Sequence, residues 1–259
     1  MLWKWITGIV LLSLIMLSAV LSRDLFNPNS TWEKVAQPYS FSIIHWELGN
    51  LFNKWEYKLR QIYNPTKLTE EDKVKLVENY ISLAQEVNFL EWRHNTAEVE
   101  GTSSAEDIAL WEKELQTSII ARDKLGDQVE EIIEGQISQI FAQEGLSITF
   151  NLGSTAELVF PPVDFEFENS PNVLIISPRD KIEFTDSVLL SPDLSLEEMM
   201  SIESEAEESA FSVLVERSGG VATYPSVISQ TTDLPYILST VAHEWLHQYF
   251  FFRPIGWNY

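Results

Sequence analysis

Hydrophobic and polar positions divide the chain into stretches of different period. From Trp5 to Leu21 the apolar run is continuous, broken in polarity only by Thr7, Ser13 and Ser18, with Lys4 before it and Arg23-Asp24 after it. At about 1.5 Å per residue the run spans roughly 26 Å, slightly less than a bilayer core, and Trp3 and Trp5 are placed as interfacial anchors. Residues 1–23 therefore read as a signal anchor: a single transmembrane helix at the cell membrane, with the bulk of the chain extracytoplasmic. The competing reading is a cleaved signal peptide that leaves a secreted chain, for which Val20-Leu21-Ser22 is a mediocre small-x-small site.

Residues 24–145 carry a helical period. After the turn-rich Asn27-Pro28-Asn29-Ser30 and Gln37-Pro38, the residues Ile44, Leu48, Leu51, Trp55, Leu59 and Ile62 are spaced three or four apart as far as Asn64-Pro65. Thr69-Glu70-Glu71-Asp72 has the form of a helix N-terminus, and Val74, Val77, Ile81, Ala84, Val87 and Leu90 continue it. A third pattern, from Ala105 to Gln143, runs through Ile108, Trp111, Leu115, Ile119, Val129, Ile133, Ile137 and Ile140, with Gly126 and Gly135 as candidate breaks and Gly145 as its end. The spacing predicts a helical, coiled-coil-like hairpin or small bundle.

From Leu146 the period changes to two, and the expected strands are Ser147–Leu152, Leu158–Phe160, Val163–Glu168, Val173–Ser177 and Lys181–Thr185. The acidic alternation in Asp164-Phe165-Glu166-Phe167-Glu168 marks a strand with one solvated face, a cation site being the alternative. Ser195-Leu196-Glu197-Glu198 is a capping box opening a helix to about Ser209. A strand Phe211–Arg217 follows, with Ser218-Gly219-Gly220 as a turn and Val221–Tyr224 as its expected hairpin partner. The fold class is α+β.

Helical period returns in Thr231–Phe252. Asp233 is placed as N-cap, Pro235 in the first turn and Pro254 past the end, while Leu234, Ile237, Leu238, Val241, Trp245 and Tyr249 form one apolar stripe. The stretch contains His243-Glu244-Trp245-Leu246-His247, an H-E-x-x-H. On a helix, side chains four apart stand one turn above each other, so His243 and His247 can offer two imidazoles to one Zn²⁺. Glu244 then lies beside the metal as general base toward a metal-activated water attacking a peptide carbonyl. At about 100° per residue both histidines fall on the side opposite the apolar stripe.

With Gly219-Gly220-Val221-Ala222-Thr223-Tyr224-Pro225 ahead of it, His243-Glu244-Trp245-Leu246-His247-Gln248-Tyr249 resembles a group of bacterial membrane-anchored proteins with a zincin-type active-site helix of the glutamate-ligand class. The resemblance implies that residues 146–259 are a zincin-like N-terminal subdomain with a small sheet and an active-site helix. It also implies an edge strand ahead of that helix that pairs with an extended peptide substrate, and Val221, Ala222, Thr223 and Tyr224 are the candidates, an ordinary hairpin arm being the alternative. The third metal ligand that the resemblance implies is a Glu on a later helix. The chain stops at Tyr259, so that ligand is expected beyond it and the subdomain reads as incomplete.

Composition narrows the function classes. Hydrophobic residues make up 45% of the 259, with nine Trp, which is ample for packed cores. Lys and Arg number 17 against 39 Asp and Glu, a formal net charge of −22, and such a surface repels phosphate backbones, which argues against nucleic-acid partners. The absence of cysteine excludes disulfides and thiolate zinc sites. The leading expectation is a membrane-anchored extracytoplasmic zinc metallopeptidase, with Zn²⁺ as cofactor and a peptide or protein as substrate. One alternative is a non-catalytic anchored protein whose helical half binds a partner and whose H-E-x-x-H is vestigial. A more remote one is a di-iron helical protein, on the repeated E-x-x-H of Glu91/His94 and Glu244/His247.

Overall fold

The structure is a computed structural model describing residues 29–47, 49, 68–100, 104–151, 155–207 and 210–253. In chain order its elements are α1 (Thr31–Ala36), a 3₁₀ turn (Gln37–Tyr39), α2 (Glu70–Glu100), α3 (Ala105–Gln143), β1 (Ser147–Asn151), β2 (Thr155–Val159), β3 (Phe165–Glu168), β4 (Asn172–Pro178), β5 (Asp186–Leu190), α4 (Leu196–Ala206), β6 (Phe211–Arg217), β7 (Gly220–Val221), β8 (Ser226–Ser229) and α5 (Leu234–Phe251). They gather into two compact units: Met1–Asn53 with Glu168–Ser229, and Lys54–Phe167 with Gln230–Tyr259. The units are thus discontinuous in sequence and differ from the consecutive segments 24–145 and 146–259 that the change of period suggests.

The first unit is built on an antiparallel sheet of order β5-β4-β6. β4 alternates, with Leu174 and Ile176 buried and Val173 and Ile175 half-buried. Its inward residues join Leu190, Val215, Ile202, Ala206 and Ala36 in one core, so α4 and α1 pack on that sheet. Side chains reinforce both helices. The Trp32 Nε1–H donates to Asp186 Oδ2 at 3.0 Å, and Glu203 on α4 accepts the backbone N–H of Val215 at 2.8 Å. The Ser195–Glu198 capping box forms as the sequence indicates.

Two strand expectations shift. Lys181–Thr185 is irregular loop after a turn at Arg179-Asp180, with Ile182 and Phe184 exposed, and the strand lies just after it, because β4 pairs Asn172 with Leu190 and Ile176 with Asp186. β6 pairs with β4 rather than with Val221–Tyr224. The short partner of β7 is β8, with Gly220 opposite Ile228 and Val221 opposite Val227.

In the second unit α2 and α3 form an antiparallel hairpin. The Ser118 hydroxyl donates to Glu86 at 3.0 Å, and Arg93 pairs with Glu114 at 2.6 Å. Tyr80, Ala84, Val87 and Leu90 of α2 and Val129, Ile133 and Ile137 of α3 are buried. α3 runs through Gly126 and Gly135 without a break, since a helix of 39 residues with a long packed face absorbs the roughly 1 kcal/mol that each interior glycine costs. Two buried carboxylates one turn apart on α3 then receive β3: Glu134 accepts the N–H of Phe165 at 3.1 Å and Glu130 that of Phe167 at 2.8 Å. Tyr80 stacks on Phe167 with centroids 5.0 Å apart. β1 and β2 form an antiparallel hairpin with Ser147 opposite Val159.

The expectation of an N-terminal transmembrane helix is corrected. No helix among the described residues is long and apolar enough to cross a membrane, and residues 1–23, on which the expectation rested, lie outside them. The long helices α2 and α3 are studded with charges, and α5 is interrupted in apolarity by His243, Glu244, His247 and Gln248. The fold among the described residues is α+β without a membrane-spanning element.

Candidate metal centre

Helix α5 begins where its sequence places it: Asp233 caps it by accepting the N–H of Tyr236 at 3.1 Å, and Pro235 sits in the first turn. Trp245 fixes the helix within the second unit. Its indole N–H donates to the carbonyl of Pro161 at 2.7 Å, and its ring stacks on Phe141 at the end of α3, centroids 4.2 Å apart, and on Tyr249 at 4.9 Å. The buried stripe is Ile237, Thr240, Val241, Glu244 and Trp245. It is rotated from the apolar stripe read in the sequence, leaving Leu238 exposed and bringing Thr240 and Glu244 inside. Thr240 is tolerated there because its hydroxyl donates to the carbonyl of Tyr236, one turn back, at 2.9 Å.

The rotation places the three motif residues in contrasting surroundings. His243 and His247 stand exposed on one face, with Nε2 atoms 3.1 Å apart and rings nearly perpendicular at 83°. Two Zn–N bonds of about 2.1 Å at a tetrahedral angle need nitrogens roughly 3.4 Å apart, so the pair fits one zinc with a small opening of the rotamers. Partial desolvation of its ring, and secondarily the neighbouring His243, hold the His247 pKa below the ordinary imidazole value, which favours the neutral, metal-ligating form. Glu244 is 8% exposed, its carboxyl makes no hydrogen bond among the described residues, and burial pushes that carboxyl up to about 7.

No third protein ligand joins the pair among the described residues, where the one group of three close donors lies elsewhere. That group is Asp127, Glu130 and Glu166, with ligand atoms within 4.8 Å of one another. The sequence signals for it are the i, i+3 carboxylates on α3 and the acidic alternation of residues 164–168, read above as a solvated strand face. Asp164 is in fact buried and Glu166 half-buried.

Val221, Ala222, Thr223 and Tyr224 belong to the first unit. Thr223 and Tyr224 are buried, and their backbone donors are engaged, Thr223 N–H by the carbonyl of Val221 at 2.8 Å and Tyr224 N–H by the buried Glu47 carboxylate at 2.9 Å. This stretch does not present the row of free donors that an incoming peptide strand would need. Glu91 and His94 form no close group with Glu244 and His247 among the described residues, so the four-residue di-iron arrangement is not assembled. His45 is exposed and lies in the first unit. Compared with protein-family models, curated proteins and solved structures, the chain matches none.

Proposed function

We propose that the chain is a zinc-dependent peptidase in which His243 and His247 hold the metal and Glu244 is the general base. The observation that carries the reading is the paired exposure of two imidazole nitrogens 3.1 Å apart, with the next residue after His243 a largely buried Glu244 whose carboxyl hydrogen-bonds to nothing among the described residues. When bound, zinc supplies Lewis acidity toward a water and a carbonyl oxygen. The chain's own part is to fix both Nε2 atoms by the Trp245 anchorage and to keep Glu244 poised. A base with a pKa of about 7 is half ionised near neutrality, so it can take a proton and return it to a leaving amine. Catalytic zinc normally has three protein ligands, and no third joins the pair among the described residues.

Two measurements test this. Competition against a chromophoric chelator is expected to show zinc binding that His243→Ala and His247→Ala each weaken by about tenfold or more. Hydrolysis of a peptide library by the zinc-loaded protein is expected to vanish in Glu244→Gln while zinc binding persists. Zinc binding unaffected by both histidine substitutions rejects the site, and activity retained in Glu244→Gln rejects the base.

A second reading, a partner-binding protein with an idle motif, draws on the hairpin. Phe89 and Trp92 stand exposed one turn apart on α2, next to Arg93, which lies over the Trp111 ring at 4.8 Å. Loss of partner binding in Trp92→Ser, with no zinc-dependent hydrolysis in the parent protein, favours that reading.

A further inference from the structure

The outward face of α5 is more than a pair of histidines. Tyr236, His243 and Phe250 recur every seven residues, with Ser239 and Leu246 between them, and Tyr236 and Phe250 are 46% and 42% exposed. This is the spacing of a helix seam that meets another helix. The seam is also nearly free of charge. In a chain of net charge −22, residues Leu234–Phe251 contain one carboxylate, that of the largely buried Glu244, and no Lys or Arg. A second copy of so acidic a chain meets apolar side chains and two imidazoles on this face instead of carboxylates.

Coordination arithmetic points the same way. A closed zinc site takes four protein ligands, the seam offers two, and no third joins them among the described residues. A second copy brought up across a two-fold axis offers two more of the same kind. We propose that zinc joins two copies of this chain through His243 and His247 of each, with Tyr236, Leu246 and Phe250 packing around the metal. This rests on the metal-binding half of the proposed function and adds its regulation. Four imidazoles leave no position for a water or a substrate carbonyl, so the paired form is a resting state that must separate before Glu244 can act.

The test uses the full chain, stripped of metal and titrated with zinc in an analytical ultracentrifuge, with bound zinc measured in parallel. The expected result is a monomer without zinc and a dimer near half an equivalent. Excess zinc should then return monomers with one zinc each, because a shared metal is competed apart when each chain can have its own. His247→Ala is expected to abolish the dimer. Phe250→Arg, which leaves both ligands in place, is expected to keep zinc binding but weaken pairing by about tenfold or more. Tyr236→Arg, at the other end of the seam, repeats that test should the first variant fold poorly. Monomers at every zinc ratio with one zinc per chain overturn the pairing and leave the metal reading standing. No zinc retained at any ratio overturns both, and a zinc-dependent dimer that survives His247→Ala places the bridge elsewhere and overturns the proposal.

Discussion

Glu244 shows how one helix position can be read correctly for type and wrongly for surroundings. The i, i+4 relation of His243 and His247 is fixed by helix geometry alone, so their convergence is legible without any tertiary information. Which side of Glu244 meets water depends on how Trp245 seats the helix against Phe141 and Pro161, contacts about 100 and 84 residues away in sequence. The consequence is measurable. Its folded-state value, about 7, lies above the ordinary 4.5, so the folded chain holds the proton more tightly than the unfolded one. Stability is therefore fully present below about pH 4.5, falls as pH rises from there through about 7, and is level above it. Glu244→Gln removes this dependence, while the opposing titration of His247 is common to both proteins. In metal-free protein the variant is expected to gain about 2–3 kcal/mol relative to wild type between pH 5 and pH 8. Urea unfolding at the two pH values checks it, and a constant difference between the proteins would show that the carboxyl is solvated.

At the scale of elements, local signals carried through and pairing did not. Ser195 and Asp233 cap the helices whose starts they mark, because a cap needs only its own first turn. Strand placement is set by partners: β4 takes β5 and β6, both later in sequence, on its two edges, so Lys181–Thr185, with strand-like composition, ends as an exposed loop. Sequence likewise cannot tell that an acidic helix residue will meet a distant backbone N–H. Glu130, Glu134 and Glu203 look like solvated faces, yet they accept Phe167, Phe165 and Val215. These carboxylates finish strand donors that would otherwise be left in partly dry surroundings. Glu203→Leu, which keeps bulk but removes the acceptor for Val215, is expected to destabilise the protein by about 1–3 kcal/mol, whereas Glu203→Gln, which keeps an acceptor, costs less. Equal losses in the two variants under urea would mean that the contact contributes through packing alone.

Over the whole molecule the dominant physical fact is charge, and it is the property that sequence reports most directly. Thirty-nine acidic residues against 17 basic ones leave a net −22, while exposed cations such as Lys73, Lys75, Arg179 and Lys181 are already paired with neighbouring carboxylates. Two effects of added salt oppose each other. Screening weakens exposed ion pairs, each of which contributes only about 0–1 kcal/mol. It also relieves repulsion among the unpaired carboxylates, which is longer in range and greater in number, since the Debye length shortens from about 30 Å at 0.01 M to about 3 Å at 1 M. Relief wins when carboxylates exceed cations by this margin. Raising sodium chloride from 0.02 M to 0.5 M at pH 7.5, with chelator present so that no metal contributes, is expected to raise Tm by about 3–6 °C, equivalent to roughly 1–2 kcal/mol for a chain of this size. Chloride is the right anion, because sulfate strengthens apolar burial whatever the charge. A Tm that falls with salt would mean that the charges are placed for net attraction, and the uncharged seam of α5 would then lose its claim to be the face where a second copy meets least resistance.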